Sequence, residues 1–585
     1  MFAQVVTVRS RGREYQYVRI LESYRENGVP KHRVVANLGR VDQLGDTLES
    51  LAQSLSRYCR EPLVAPSQVT CQAAVPWGPV LLARDLYDEL ELGAILRRCC
   101  GSNRRRAFDV AETAFVLIAN RLTDPRSEHG LARWLENYYV CDSAGSRWEP
   151  EWLPEQDIST EQRVRVHWRQ LKLWYHTLDA LLAGQQAIET ALYLRVRDLF
   201  HLQVDVVLYD VTSTYFERRS PTGKLRRHGK SRDGKPRNVQ VVLGVVMANG
   251  FPIAHHVFAG NTADKTTLQG VVKDVEQRLG LRRVLIVGDR GMVSEANLEF
   301  LTQEGRQVRY LVGLAGRRCA ESAAVLARLQ EAAWEPVDAG NRVQQVASET
   351  PGVHYFVVES RERRAYEQQQ REGSMRRVAE ALGKVQTAVQ DGRLKDPAKI
   401  AARAQRALSQ HHGARYYTYE IAGPGAFRFH VDAAKLAAEQ RREGLYILKT
   451  NDLTLTPQDS VVIYKQLSDV EWAYRDLKDV IQMRPIYHQR DERVRAHVFV
   501  ATLALFLKRT LEEHLSRAGV PLSPTEAFAA MHSVGLSVLG FDGETRHLVS
   551  GGGRDARRII QTLKITNVAP PGAQEQRPTM PDQAM

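Results

Sequence analysis

Three acidic residues stand where a carboxylate needs a reason. Asp210 lies inside the apolar run VVLYDVTSTYF, Asp289 closes the run VLIVGD, and Glu471 sits in the charged stretch YKQLSDVEWAYRDLK, residues 464–478. Burying an unpaired carboxylate is costly, so a salt bridge or a helix cap explains either aspartate taken singly. Three carboxylates converging on one sheet edge are a different case. They repel, and each raises the pKa of the others unless cations lie between them. An all-oxygen ligand set with open positions suits Mg²⁺ or Mn²⁺. Two such ions, about 4 Å apart, activate an attacking oxygen and stabilise a leaving one at phosphorus.

The stretch around Glu471 begins with a helix start, Thr456-Pro457-Gln458-Asp459: a capping threonine, proline at the first helical position, and an acid three residues after the cap. With no glycine or proline before Pro485, the sequence predicts one helix of about 27 residues ending at Arg484. Tyr464, Leu467, Glu471, Arg475 and Lys478 then share one face. Tyr464 and Lys478 each fall roughly 10 Å along the axis from Glu471, suited to gripping successive points of an extended anion. Taken alone, such a face is more often simply solvated.

The only long basic segment is RRSPTGKLRRHGKSRDGKPR, residues 218–237, with nine Lys or Arg and one acid, Asp233. Glycines and prolines make it a loop, tied to the Asp210 strand. Its place beside the acids favours contacts with a phosphate backbone through Arg226, Arg227, Lys230 and Arg232. His255 and His256 alternate on a strand, so at most one faces any site, and core or surface placement fits them better than metal binding.

The elements that must position these residues follow from the rest of the chain. Its 585 residues exceed one core, and a net charge of +13 with a pI near 9.4 favours a polyanionic partner. Six cysteines without a C-x-x-C pair argue against a zinc ribbon and fit a reducing cytoplasm. The longest apolar run, residues 497–507, is too short to cross a bilayer. Residues 1–60 form a small β-containing module with a hairpin signal at Asn27-Gly28, and 61–78 a linker. Residues 79–200 carry helical periodicity, read as a DNA-end-binding domain or a plain bundle. Residues 203–316 hold three meandering strands, then alternating helix and strand: an α/β core of ribonuclease-H-like order. Residues 317–440 are an insertion domain with a long charged helix. Residues 441–566 return to the core and its C-terminal helices, and 567–585 form a disordered tail.

These residues together resemble the DDE transposases of bacterial insertion sequences, in the insertion-sequence-four-like superfamily with the signature Y-x2-R-x3-E-x6-K. Tyr464, Glu471 and Lys478 stand at that spacing, and Leu467 occupies the arginine position, with Arg475 one turn past Glu471. Asp210 in LYDVTSTYFE and Asp289 in VGDRGMVSEANL match the first two acids. The resemblance implies a ribonuclease-H-like catalytic core whose Asp210, Asp289 and Glu471 hold two Mg²⁺ or Mn²⁺ ions. It implies DNA contacts from Tyr464, Lys478 and Arg475. It further implies binding of terminal inverted repeats, end cleavage and joining to target DNA, with relatives passing through a hairpin. The expected partners are end and target DNA, with a homodimer at synapsis and no membrane, in a bacterial cytoplasm at the nucleoid. A metal-dependent nuclease or domesticated relative would use the same triad. A DNA-binding repressor would explain the charge but give the three carboxylates no role.

Overall fold

The computed structural model describes the chain apart from residues 11, 57, 59–68, 102–107, 151–159, 282–283, 293, 304–305, 307, 315–318, 411, 424, 542–543 and 572–585. Residues 61–68 of the expected linker (61–78) and residues 572–585 of the tail expected from 567 therefore fall outside the described residues. Two compact units are distinct, one built from residues 1–74 with 536–549, the other from 75–535 with 550–572.

The first unit opens with an antiparallel meander, β1 (Phe2–Ser10), β2 (Arg13–Glu26) and β3 (Val29–Arg40). Asn27 and Gly28 take positive φ of 50° and 81°, so the expected tight hairpin joins β2 to β3. The β1 run was not anticipated. Helix α1 (Val41–Ser56) lies against β2 and β3. The end of the expected linker is instead a strand, β4 (Thr70–Pro76), because a sheet partner far along the chain supplies its hydrogen bonds.

The second unit starts with helices α2 (Gly78–Glu89), α3 (Leu92–Cys99), α4 (Val110–Thr123), α5 (Leu131–Asn137) and the 41-residue α6 (Thr160–Phe200). Every residue of α4 from Val110 to Arg121 is buried, so α4 has no free face to offer a groove.

The main sheet follows: β5 (Val206–Tyr215), β6 (Gln240–Ala248), β7 (Phe251–Ala259), α7 (Leu268–Arg278), β8 (Leu285–Gly288), α8 (Glu295–Leu301) and β9 (Arg309–Gly313). Asn249-Gly250 turns β6 into β7 with φ of 48° and 81°. Strand β5 pairs antiparallel with β6 and parallel with β8, and β8 runs parallel to β9. The spatial order β9-β8-β5-β6-β7 is that of a ribonuclease-H-like sheet.

The insertion behaves differently from the expectation of one separate domain over 317–440. After α9 (Ala320–Leu326), strands β10 (Glu335–Asp338), β11 (Asn341–Ala347) and β12 (His354–Ser360) join the main sheet, which has nine strands among the described residues. Backbone pairing with the returning core strand draws them in. A second part has its own core: α10 (Arg361–Gln390), α11 (Pro397–Ser409), β13 (Tyr417–Gly423) and β14 (Ala426–Val431) bury Val378, Leu382, Val385, Ile400 and Phe427 together. Helix α12 (Ala433–Gln440) leads to β15 (Leu445–Thr450), which bridges β12 and β9.

The single helix expected over 457–484 is broken. It consists of α13 (Pro457–Lys465), α14 (Leu467–Arg475) and a π turn over Asp476–Val480. The start is as read: Thr456 accepts from the Asp459 amide, and Pro457 stands in the first turn. At Gln466 (ψ −14°) the backbone tightens, and bonds from Gln466 N to Ile463 O and from Asp469 N to Gln466 O replace the regular ladder. Gln482, in the left-handed region at φ 50°, ends the segment without glycine or proline, and Met483 N closes onto Leu477 O. Helices α15 (Asp491–Arg517) and α16 (Pro524–Met531) come next, and α15 is buried through its apolar middle. Strands β16 (Gly535–Phe541) and β17 (Glu544–Val549) complete the β4 sheet of the first unit, and α17 (Arg554–Thr562) closes the second. Among the described residues, no helix is long and apolar enough to cross a membrane.

Candidate active site

The sheet register brings the two aspartates together. In the parallel pair, Leu208 lies opposite Val287 and Tyr209 opposite Gly288, so Asp210 and Asp289 come next on neighbouring strands. Residues at matching register in adjacent strands project to one face, at the inter-strand spacing of about 4.8 Å. The third acid arrives on α14, docked by Tyr474. That side chain is buried; its hydroxyl donates to Asp210 O and accepts from Val245 N. Glu471 and Tyr474 are three apart on a helix and share a face, so the bond that anchors Tyr474 aims Glu471 at the strand ends. Asp210, Asp289 and Glu471 line one cavity of about 260 Å³, together with Thr212, Arg232, Asp264 and Tyr474.

The electrostatics follow from this crowding. Burial pushes the Asp210 carboxyl up to about 7, with Asp289 and Glu471 adding to the rise against the Val211 amide and Arg232. Asp289 and Glu471 are exposed at the rim, and Asp289 Oδ1 accepts from Arg290 N at 2.6 Å.

The signature residues stay on the sheet side of the broken helix. Tyr464 lines a second cavity of about 590 Å³ that shares Asp289 and Glu471 with the first and adds Arg290, Arg363, Arg442 and Tyr446. Its ring stacks on Tyr446, with centroids 5.9 Å apart, and its hydroxyl rests over Gly313, where any Cβ would lie 2.5 Å away. Lys478 reaches the other side of the triad and donates to Thr212 Oγ1 at 2.8 Å and Asp233 Oδ1 at 2.9 Å.

Residues 204–507, just over half of the chain, match the family described as the transposase DDE domain. The chain belongs to that family. Residues 3–68 match the IS1634 family transposase N-terminal domain. A solved piggyBac transposase synaptic complex with hairpin DNA aligns over 79% of this chain and 82% of its own, at 10% identity and a TM-score of 0.37, too distant to argue from. No curated protein matches the chain. The protein is thus a DDE transposase, an enzyme of the metal-dependent polynucleotidyl transferase class acting on DNA.

Several side chains expected to reach DNA are otherwise engaged in this transposase. Arg226 is 3% exposed, with its guanidinium donating to Thr222 O and Gln489 O, because the loop folds back on the segment before α15. Arg227 donates to Gly223 O and Arg226 O within its own turn. Arg232 pairs with Asp264 at 2.6 Å and lines the acid cavity. Lys230 alone of the four is exposed without a side-chain bond among the described residues. Arg475 stacks over Trp472, which is 54% exposed, 4.3 Å from its centroid, away from both cavities. Leu467 leaves the signature arginine vacant, and Arg290 and Arg363 bring guanidiniums to that side instead. The loop is therefore a folded element in which Arg226, Arg227, Arg232 and Lys235 are engaged within the protein, while Arg218, Arg219, Lys224, Lys230 and Arg237 are exposed. Lys230→Gln should lower the log–log salt slope of DNA binding by about 0.9, the effect of one lost phosphate contact. Arg226→Gln should leave that slope unchanged and loosen the loop, and binding isotherms at several salt concentrations read both.

Sequence reasoning missed Tyr474, Asp264, Thr212 and Arg484. Tyr474 carried a signal, its i+3 spacing from Glu471; Asp264, in NTADKTTL, carried none until folding set it beside Arg232. His255 and His256 lie outside the acid site as expected. His255 pairs with Glu189 at 2.6 Å in the core, and His256 lies 3.4 Å from Asp274.

The acid cavity fits a hard dication: its donors are the carboxylate oxygens of Asp210, Asp289, Glu471 and Asp264, with Arg232 as its cationic lining. A second cluster, buried Glu128, His488 and His497, has ligand atoms within 4.8 Å of one another, a compactness the triad does not share among the described residues. Yet the Arg121 guanidinium donates to His497 Nδ1 at 3.3 Å and sits 3.8 Å from Glu128. Arg121 thus supplies a cation to two of the three groups, and we read the cluster as a buried ion pair.

Proposed function

We propose that this transposase performs cut-and-paste transposition, binding the terminal inverted repeats of its element, cleaving their ends and joining the 3′-hydroxyls to target DNA. The observation that carries the reading is the convergence of Asp210, Asp289 and Glu471 in one cavity, bordered by Arg232, Lys478 and the Arg290–Arg363 pocket. Asp210, Asp289 and Glu471 would hold two Mg²⁺ or Mn²⁺ ions. Such ions supply activation of an oxygen nucleophile and neutralisation of charge developing at phosphorus.

The protein's own part is positioning. Tyr464 and Lys478 flank the acids on opposite sides, so a strand laid across the site meets a hydroxyl, then carboxylates, then an ammonium. Arg290, Arg363 and Arg442 share a pocket with Asp289, Glu439 and Glu471, and burial together with Arg290 lowers the Arg363 pKa. A phosphate there relieves that repulsion. Two copies of the chain bind the two ends at synapsis.

The test uses duplexes carrying the inverted repeats that flank the gene, incubated with full-length protein, Mg²⁺ and a target plasmid. The expected result is end cleavage and covalent joining, both lost with EDTA. Metal-dependent cleavage without joined product would assign a nuclease; tight binding without cleavage would assign a repressor.

A further inference from the structure

The basic loop has one acid, and the side chain of that acid is buried. The Asp233 side chain is 2% exposed. Its Oδ1 accepts from Lys478 Nζ at 2.9 Å and from Arg484 NH1 at 2.5 Å, while Oδ2, also buried, has no partner. Arg484 also pairs with Asp479, so two cations and two carboxylates balance, and both cations are held in a fixed direction. Lys478 Nζ also donates to Thr212 Oγ1, two residues beyond Asp210 on β5. The neighbouring Arg232 enters the acid cavity and pairs with Asp264, and its backbone amide is held by Ser213 Oγ at 2.9 Å. Asp233 therefore ties three separate elements together: the basic loop, the end of the signature helix, and the strand that bears Asp210.

We infer that Asp233 is a positioning residue that holds the Lys478 ammonium beside Thr212 and locks the basic loop to the signature helix. Loop and helix then meet the DNA backbone as one unit. An ammonium on a four-carbon stem has many rotamers, and fixing it beforehand removes that entropy cost from the substrate-bound state. This inference rests on the transposase reading of the site. It adds that Lys478 works only when Asp233 holds it.

The experiment compares Asp233→Asn, Asp233→Glu, Lys478→Met and the Asp233→Asn/Lys478→Met pair with wild type. Single-turnover end cleavage is measured on saturating pre-bound end DNA, alongside the end-DNA Kd and limited trypsin digestion of DNA-free protein. Asp233→Asn should slow cleavage by roughly tenfold to a hundredfold, the scale of a small misplacement at a reacting centre, with Kd changed far less. Asp233→Glu should recover part of that loss. The double variant also avoids stranding the Lys478 charge, and should be no slower than Lys478→Met, because the two residues act in series. Trypsin should cut at Lys230 faster in Asp233→Asn than in wild type. Additive losses would mean Asp233 serves only folding and would overturn the inference. Tighter DNA binding with undiminished cleavage in Asp233→Asn would overturn it too, since Asp233 would then be masking Lys478. If wild-type protein neither binds nor cuts end DNA, the transposition reading fails with the catalytic part of this one, while the trypsin comparison still decides the lock.

Discussion

Glu471→Gln is expected to abolish end cleavage and strand transfer while end-DNA binding survives. The substitution keeps the shape of the side chain and removes one ligand charge, so the loss falls on the chemical step, where charge develops at phosphorus. At least a thousandfold is expected, on the scale of removing one preorganised electrostatic partner, about 10²–10³, or more for a metal ligand. The neighbouring acid gives the contrast. Asp469 lies about 160° from Glu471 around the helix axis and outside both cavities, so Asp469→Asn should leave cleavage near wild type. A gel assay on pre-bound ends with Mg²⁺ and then Mn²⁺ separates the two. Equal effects would return this helix to a solvated face.

Asp210→Asn should move activity and stability in opposite directions. Cleavage is lost for the same reason as with Glu471, but the metal-free protein becomes more stable above neutrality. The sign follows from the pKa. Burial and the two neighbouring carboxylates raise the Asp210 carboxyl to about 7 in the folded chain, against an ordinary value of 3.8. In the unfolded chain the group loses its proton near 4, so what protonated Asp210 contributes to the fold is intact below that and is lost as pH climbs through 7. At pH 8 the folded protein carries a disfavoured charge that asparagine lacks. A shift of that size corresponds to an upper limit of about 4 kcal/mol. Thermal melts in EDTA should show Asp210→Asn above wild type at pH 8, by a margin that shrinks as the pH falls towards 4. Mg²⁺ should raise the wild-type midpoint at pH 8 and leave the variant unmoved. A variant no more stable than wild type at pH 8 would contradict the burial of a carboxylate at Asp210 beside two others.

How far the sequence was legible differs from element to element. The core strands and their order were readable because each is a short apolar run closed by an explicit turn, as at Asn249-Gly250. From that order, the meeting of Asp210 and Asp289 at neighbouring strand ends could be anticipated. Glu471 needed more, since its direction depends on Tyr474 finding Asp210 O and Val245 N, two partners more than 200 residues away. The break at Gln466 was hidden because neither glycine nor proline marks it and tertiary docking flattens the backbone there. Strands β10–β12 looked like part of an insertion because their pairing partner, β15, comes about 85 residues after β12 in sequence. The basic loop was legible only in part, for a general reason. Composition counts charges without telling which are spent inside the protein, and Arg226 and Asp233 are buried despite lying in the most polar stretch of the core.

The most direct test of the central claim is where Mn²⁺ binds. Crystals of the full-length protein with end DNA and Mn²⁺, measured at the manganese absorption edge, should give anomalous density between Asp210, Asp289 and Glu471, lost in Glu471→Gln crystals at that residue's position. Density confined to Glu128, His488 and His497, or none beside the three acids in the presence of bound DNA, would contradict the account.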